Sequence, residues 1–309
     1  MKIVNVLMST YNGEQYVGQQ IESILEQERI NVRLYIRDDG SSDRTVEILQ
    51  QYANNDTVNL VWDDTRSAQS RRNQNRGYGY SFLKLLHMVK DGDYWAFSDQ
   101  DDVWMPDKLV HAIGVMESGD SENKPLLYCH RYELTDGEMH PYGESAYIQR
   151  YSFAMAITEC SHMGFATVMN RSLRTLVVRG DYEQIISHDW WTELVAMEYA
   201  DVIEDDYVGA KHRRLEESVS SSGLAARFRW LKKAWRGNAE IANLTNCFMQ
   251  VYGDQMRSED KSILSWFIRE AKDRYPVGQR ICKSLYIHRW RSSLSSEFVL
   301  RFLMLMGKV

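Results

Sequence analysis

Tyr94-Trp95-Ala96-Phe97-Ser98-Asp99-Gln100-Asp101-Asp102-Val103-Trp104-Met105 decides the reading of this chain. An apolar run of the length of one buried strand stops at a serine, and three carboxylates follow within four residues. Carboxylates this close repel one another, and the apolar flanks keep bulk water from screening them. Packing them at a strand end makes sense where a divalent cation sits. Mg2+ or Mn2+ takes one or two carboxylates and completes its shell with a substrate's phosphates. The plainer alternative is a solvated acidic turn, or caps for a helix entered at Pro106. The apolar setting favours the metal.

Outward from this stretch, strands and helices alternate. Ile3 to Met8 reads as a buried strand, and Val17, Ile21, Ile24 and Leu25 recur at helical spacing. Val32 to Arg37 is the next strand, followed by a helix that Ser42 or Asp43 caps and that carries Val46, Leu49 and Tyr52. Val58 to Trp62 is a short strand, and Ser81 to Val89 a helix leading into Tyr94 to Phe97. The pattern predicts an α/β fold with a mostly parallel central sheet and helices on both faces. Further on, Pro106 to Met116 and His188 to Ala200 read as helices, and Leu126 to Leu134 and Phe165 to Met169 as strands. Ser218 to Gly223 reads as a linker, after which Leu224, Phe228, Leu231 and Trp235 form one helical stripe. The expected division is a catalytic domain over 1–222 and a basic helical region over 223–309.

Polar clusters stand where the first strands end: Ser9-Thr10-Tyr11-Asn12, then Arg37-Asp38-Asp39-Gly40-Ser41-Ser42-Asp43, then Ser98 to Asp102. In open parallel sheets the ligand crevice lies beyond these carboxyl ends, so the three clusters should converge. Neither G-x-G-x-x-G nor G-x-x-x-x-G-K-[ST] occurs, which counts against dinucleotide oxidoreductases and P-loop enzymes. Taken alone, Asp38 and Asp39 are either a turn with a helix cap or carboxylates that accept the ring N–H of a pyrimidine.

Together, and in this order and spacing, the three clusters resemble glycosyltransferase family 2, with the match running from Ser9 to Leu109 and continuing more weakly to residue 215. The resemblance implies the GT-A fold, a nucleotide-sugar-binding α/β domain with a D-x-D metal motif. It implies that Thr10, Tyr11 and Asn12 line the donor pocket and that Asp39, with Asp38 beside it, meets the pyrimidine. Asn75 and Gly77 correspond to the family's N-x-G segment near the nucleotide. Asp99 and Asp101 would hold Mn2+ or Mg2+, with Asp99 near the ribose and Asp102 orienting the site or the sugar. In His188-Asp189-Trp190-Trp191, Asp189 corresponds to the base that deprotonates the acceptor hydroxyl in a single displacement with inversion; read without the family, it is a charge at a helix N-terminus. Trp104, Trp190 and Trp191 are either acceptor-stacking rings or core. His212 falls where relatives carry a histidine on a loop over the pyrophosphate. Q-x-x-R-W, the mark of processive synthases, is absent, which implies one sugar per event. Asp99 to Trp104 together with His188 to Trp191 look most like the rhamnosyltransferase branch, using dTDP-β-L-rhamnose for bacterial surface polysaccharide; UDP-linked hexoses and N-acetylhexosamines remain open donors.

The 309 residues are 44% hydrophobic and 26% charged, ordinary globular values, with a net charge of −6. The charge is uneven. From Gly223 onward there are 16 Lys and Arg against 7 Asp and Glu, whereas the preceding part holds 21 against 36. An acidic body argues against nucleic-acid binding, and a basic aromatic tail points to an anionic surface. Phe228 to Arg236 and Phe298 to Met306 read as interfacial helices on a membrane face, or else as a helical subdomain packed on the catalytic domain or on a second subunit in a homodimer. A saccharide acceptor linked to lipid would explain the former. Cys129, Cys160, Cys247 and Cys282 form no C-x-x-C pair and read as thiols of a reducing compartment. No apolar run spans a bilayer and the N-terminus lacks a signal-peptide pattern, so the expected location is the cytoplasm, either free or peripheral on the inner membrane face. Three rivals are weaker. A nucleotidyltransferase wants a Gly-rich basic loop, a phosphohydrolase has no use for the nucleotide-side motif, and a non-catalytic scaffold has none for Asp189.

Overall fold

The computed structural model describes residues 1–62, 76–119, 124–146, 151–214, 240–268 and 275–309. Asn75, the Ser218 to Gly223 stretch with the domain boundary, and the Phe228 to Arg236 segment lie outside the described residues.

Among the described residues a sheet of nine strands, numbered in chain order with the ranges given below, runs β3-β2-β1-β4-β8-β6-β9-β5, with β7 on β6. The first four in that order are parallel: β1 (Ile3–Thr10), β2 (Asn31–Asp38), β3 (Val58–Leu60) and β4 (Tyr94–Ser98). Helices α1 (Val17–Leu25), α2 (Thr45–Gln51) and α3 (Tyr78–Met88) make the crossovers. Parallel strands covered on both faces read as near-continuous apolar runs, which is why β1 and β4 are legible without strict alternation. Their side chains divide between two cores. Val4, Val6, Met8, Tyr94 and Ala96 enter one, and Leu7, Trp95 and Phe97 the other.

Beyond β4 the sheet becomes mixed. Strand β8 (Thr167–Asn170) lies antiparallel to β4 and to β6 (Leu126–Thr135), while β9 (Asp201–Arg213) runs parallel to β6. The segment read as a strand from Phe165 opens instead as a 3-10 turn, Gly164–Ala166. Two short strands complete the sheet: β5 (Val103–Trp104), antiparallel to β9, and β7 (Pro141–Glu144) on β6. Helix α4 is Lys108–Glu117, shorter at its start than the proline suggested. Helices α5 (Phe153–Thr158), α6 (Arg171–Val177) and α7 (His188–Tyr199) cover one face.

The last described helices are α8 (Glu240–Tyr252), α9 (Ser258–Ser265), α10 (Val277–Leu285) and α11 (Leu294–Leu305). They close the core that α3 and α7 share with the sheet: Trp191, Phe248, Tyr252, Trp290 and Leu303 belong to one buried cluster. No helix of the described residues is long and apolar enough to cross a membrane.

Candidate active site

Register brings the acidic strand ends to one level. Thr10 pairs with Asp38 across β1 and β2, and Met8 with Ser98 across β1 and β4. Asp38, 1% exposed, accepts hydrogen bonds from Thr10 Oγ1 (2.9 Å), Gly40 N (3.0 Å) and Ser41 N (2.8 Å), and also from the Ser41 hydroxyl. It therefore builds the loop rather than offering an open carboxylate. Asn12 does similar work at positive φ, which asparagine tolerates: its Oδ1 accepts from Ser42 N at 2.8 Å, while its own N–H donates to Ser41 Oγ at 2.9 Å. Tyr11, which is 48% exposed, projects its ring from this loop.

Asp39 is 2% exposed and ion-paired to buried Arg37 at 2.8 Å. It also accepts from Arg76 N (3.1 Å) and Gly77 N (2.8 Å), and so fixes the entry to α3. Gly77 has φ +90°, a conformation that side chains rarely adopt, and the bond to Asp39 depends on it. An ionised carboxylate offers about four lone-pair sites, so three accepted bonds leave room for one ring N–H.

The third cluster is held by three residues that the sequence reads in another role or in none: Arg213, as a phosphate-neutralising or solvated cation, and Gln100 and Lys108, without a role. Gln100 accepts from Tyr11 N at 2.8 Å and donates to Tyr11 O at 3.0 Å, fastening the end of β4 to the end of β1. Buried Arg213 donates through Nε to Asp101 O at 3.0 Å, through Nη2 to Gln19 Oε1 at 2.7 Å, and to Gly137 O. Lys108, fully buried, donates to Phe165 O at 2.7 Å with its ammonium 3.3 Å from the Trp104 ring centroid. Gln100 stands inside the acidic motif, and Arg213 follows the histidine already singled out. Lys108 gives no signal short of the fold.

The electrostatics are those of concentrated negative charge. Burial, then the charges of Asp102, Asp101 and Asp189, push the Asp99 carboxyl well above the carboxylate range, with Lys108 opposing. Burial and Asp102 raise Asp101 to about 6, against the pull of His212 and Arg213. Burial drives the Lys108 ammonium well below its ordinary value, although Asp102 and Asp99 pull it upward. His188, at the start of α7, packs its ring 4.6 Å from that of Phe97, which brings the N-terminus of α7 to the end of β4 where the acidic cluster begins.

His212 is not on a loop. It lies near the end of β9, paired with Leu134 of β6, and its ring stacks on Phe165. The β5–β9 pairing carries Asp102 to it, and His212 Nδ1 lies 2.8 Å from Asp102 Oδ1. With the proton on Nδ1, His212 Nε2 is an acceptor. That atom and Asp102 Oδ2 are both buried without a hydrogen-bond partner. Two orphaned acceptors beside Asp99 and Asp101 fit a cation. Among the described residues no three acidic, histidine or cysteine side chains form a ready-made cage. Mg2+ and Mn2+ do not require one, because phosphate oxygens and water fill most of their shell.

Asp189 sits in the first turn of α7, accepting from the Ser187 hydroxyl and from Trp190 N at 2.8 Å. One turn later Glu193 accepts from Ser161 N (2.9 Å) and His162 N (2.7 Å), and His162 Nε2 reaches Glu204 at 3.1 Å. These bonds fix the loop that faces Asp189. Two of the three tryptophans are corrected to core. Trp191 is fully buried against Phe248 and Tyr252 and donates to Val177 O at 2.9 Å, and Trp104, 2% exposed, lies under Lys108. Neither ring is accessible to a saccharide. Trp190 is part-exposed and lines a cleft with Tyr78, Ile186, Ser187 and Asn243.

Comparison with known proteins agrees with this geometry. Residues 5–174 match glycosyl transferase family 2. The dTDP-rhamnosyl transferase RfbG of Shigella flexneri is 35% identical over 108 residues, 34% of this chain and 35% of that protein. The UDP-Glc:alpha-D-GlcNAc-diphosphoundecaprenol beta-1,3-glucosyltransferase WfgD of Escherichia coli is 24% identical over 235 residues, 75% of this chain and 84% of that protein. The matched stretch spans 35% of RfbG and 42% of a Rickettsia typhi glycosyltransferase, so the first relatives are covered over less than half their length. Residues 1–349 of S. aureus TarS superpose with a TM-score of 0.57 at 13% identity, over 100% of this chain and 81% of that one. The mannosyltransferase PcManGT of Pyrobaculum calidifontis, solved with GDP-Man and Mn2+, does so with 0.53 at 15% identity, over 99% and 85%. These likenesses show the GT-A fold.

Proposed function

Because this chain belongs to glycosyl transferase family 2, we propose that it moves a single sugar from a nucleotide-linked donor to the hydroxyl of a saccharide acceptor, with inversion. The observation that carries the reading is the pair of orphaned acceptors, Asp102 Oδ2 and His212 Nε2, beside Asp99 and Asp101. Thr10, Tyr11, Asn12, Asp39 and Gly77 line the nucleotide side, with Asp38 holding their loop. Asp99 and Asp101 would hold Mn2+ or Mg2+, with Asp102 held behind them by His212. The cation, when bound, stabilises charge on the departing diphosphate. Asp189 accepts the acceptor's hydroxyl proton as that oxygen attacks the anomeric carbon and the nucleoside diphosphate leaves with the bonding pair. Trp190 offers a ring to the acceptor sugar.

The donor we favour is dTDP-β-L-rhamnose, on the 35% identity with RfbG and on the sequence Asp99 to Trp104 together with His188 to Trp191. A UDP-hexose is the second reading, favoured by the longer match to WfgD, whose acceptor by name is a diphosphoundecaprenol-linked sugar. On either reading the acceptor is a growing surface saccharide, lipid-linked in the second.

The test is transfer of labelled sugar from each donor, with Mn2+, into a bacterial lipid-linked saccharide extract. Incorporation from one donor that falls at least about a hundredfold in Asp189→Asn supports the assignment, which is the scale on which general bases contribute. Incorporation at the wild-type rate in that variant overturns it.

A further inference from the structure

We propose that the face formed by α10 and α11 is a docking surface for an anionic lipid leaflet. The inference stands on the C-terminal helices alone and does not depend on the donor or the metal.

Helix α10 exposes Val277 (64%), Ile281 and Leu285 (76%) at every fourth position, and Ile287 (87%) follows. Helix α11 exposes Leu294, Phe298 (73%), Phe302 (55%) and Leu305 at helical spacing, with Met306 beyond its end. Single exposed apolar side chains are ordinary, but two neighbouring helices that each turn a stripe of them outward are not. The hairpin is well anchored from behind. Leu300, Leu303 and Met304 are buried, and Lys283 donates to Val309 O at 2.6 Å. Arg301 donates to Ser284 O and Tyr286 O, each at 2.8 Å, and pairs with Glu297 at 2.6 Å. The outward stripes are therefore not a core left incomplete by poor packing.

Charge names the occupant. Residues 275–309 carry six Lys and Arg, of which Lys283 is buried and Arg301 is paired with the single acidic residue, Glu297, itself buried. His288 and Arg289 are exposed. Phenylalanine and leucine on one face, with Arg289 exposed and no exposed acid on either helix, suit a helix that lies in the headgroup region of an anionic membrane. A second copy meeting this face across a two-fold axis would set the same cations against each other. Seated on a leaflet, the catalytic cleft would be held near acceptors anchored in that leaflet.

The full chain is tested by flotation with vesicles of phosphatidylcholine, with and without one-third phosphatidylglycerol, at low and high salt. Light scattering reports the oligomeric state in parallel. Wild type is expected to float with the anionic vesicles at low salt. Partitioning should fall about tenfold or more in Phe298→Ser/Phe302→Ser and severalfold in Arg289→Glu/Lys308→Glu, while nucleotide binding stays at wild-type level. Absence of flotation at low salt overturns the proposal, as does flotation unchanged in both variants. A wild-type dimer that the phenylalanine pair dissociates, without vesicle binding, assigns the face to a second copy and equally overturns it.

Discussion

His212 Nδ1 lies 2.8 Å from Asp102 Oδ1 at the junction of two strand ends that are more than a hundred residues apart in sequence. The bond fixes the ring tautomer and leaves Nε2 a buried acceptor with no hydrogen-bond partner. Replacing His212 with alanine is expected to weaken Mn2+-dependent nucleotide binding by about ten- to a hundredfold, the range seen when a metal's supporting shell is cut. Binding measured without metal should change little. An equal loss with and without Mn2+ would assign His212 to packing alone.

Arg37 and Asp39 form an ion pair at 2.8 Å with side chains that are 0% and 3% exposed. Breaking a buried pair leaves the other charge without compensation, which costs about 3–5 kcal/mol. Arg37→Leu should therefore lower the free energy of unfolding, measured by urea titration, by that much. It should also weaken nucleotide binding, because Asp39 holds Arg76 N and Gly77 N at the donor side. Stability within about 1 kcal/mol of wild type would show that the pair is dispensable.

His188 is 3% exposed, packed between Phe82 and Phe97, and burial holds its ring at about 4, well below the ordinary 6.5. A base whose folded value is depressed takes up its proton more readily when unfolded. Its contribution is complete above about pH 6.5 and is lost as pH falls toward 4, amounting to roughly 3 kcal/mol. His188→Phe should flatten that slope in denaturation measured between pH 7.5 and 4.5. A variant that loses stability with acid as steeply as wild type would refute this assignment.

The parts legible in the sequence are those where local pattern and burial agree. Strands β1 and β4 are mostly apolar runs and β2 alternates Val32, Leu34 and Ile36 with polar residues, each with polar residues massed at its carboxyl end, so the fold class follows from them. Strand β9 escaped because Asp201, Glu204, Asp205 and Asp206 make its first half look like a loop; its pairing with β6 supplies what its composition does not. His212, placed on a loop by the family resemblance, stands on this strand. Strand β5 is two residues long and visible only through its partner. Trp190 and Trp191 are neighbours whose roles differ by one helical step. The residues that bury Trp191, Phe248 and Tyr252, come from a helix more than fifty positions later. Arg37 reads as a strand-end cation, and nothing local announces that Asp39 and Ser81 enclose it.

The most direct test of the central claim is calorimetric titration of UDP and dTDP into wild type, Asp101→Asn and Asp189→Asn, each with and without Mn2+. The account predicts binding of at least one nucleotide that strengthens with Mn2+, is lost or weakened at least about tenfold in Asp101→Asn, and persists in Asp189→Asn. No binding of either nucleotide under any metal condition, or Mn2+-dependent binding undiminished in Asp101→Asn, would contradict it.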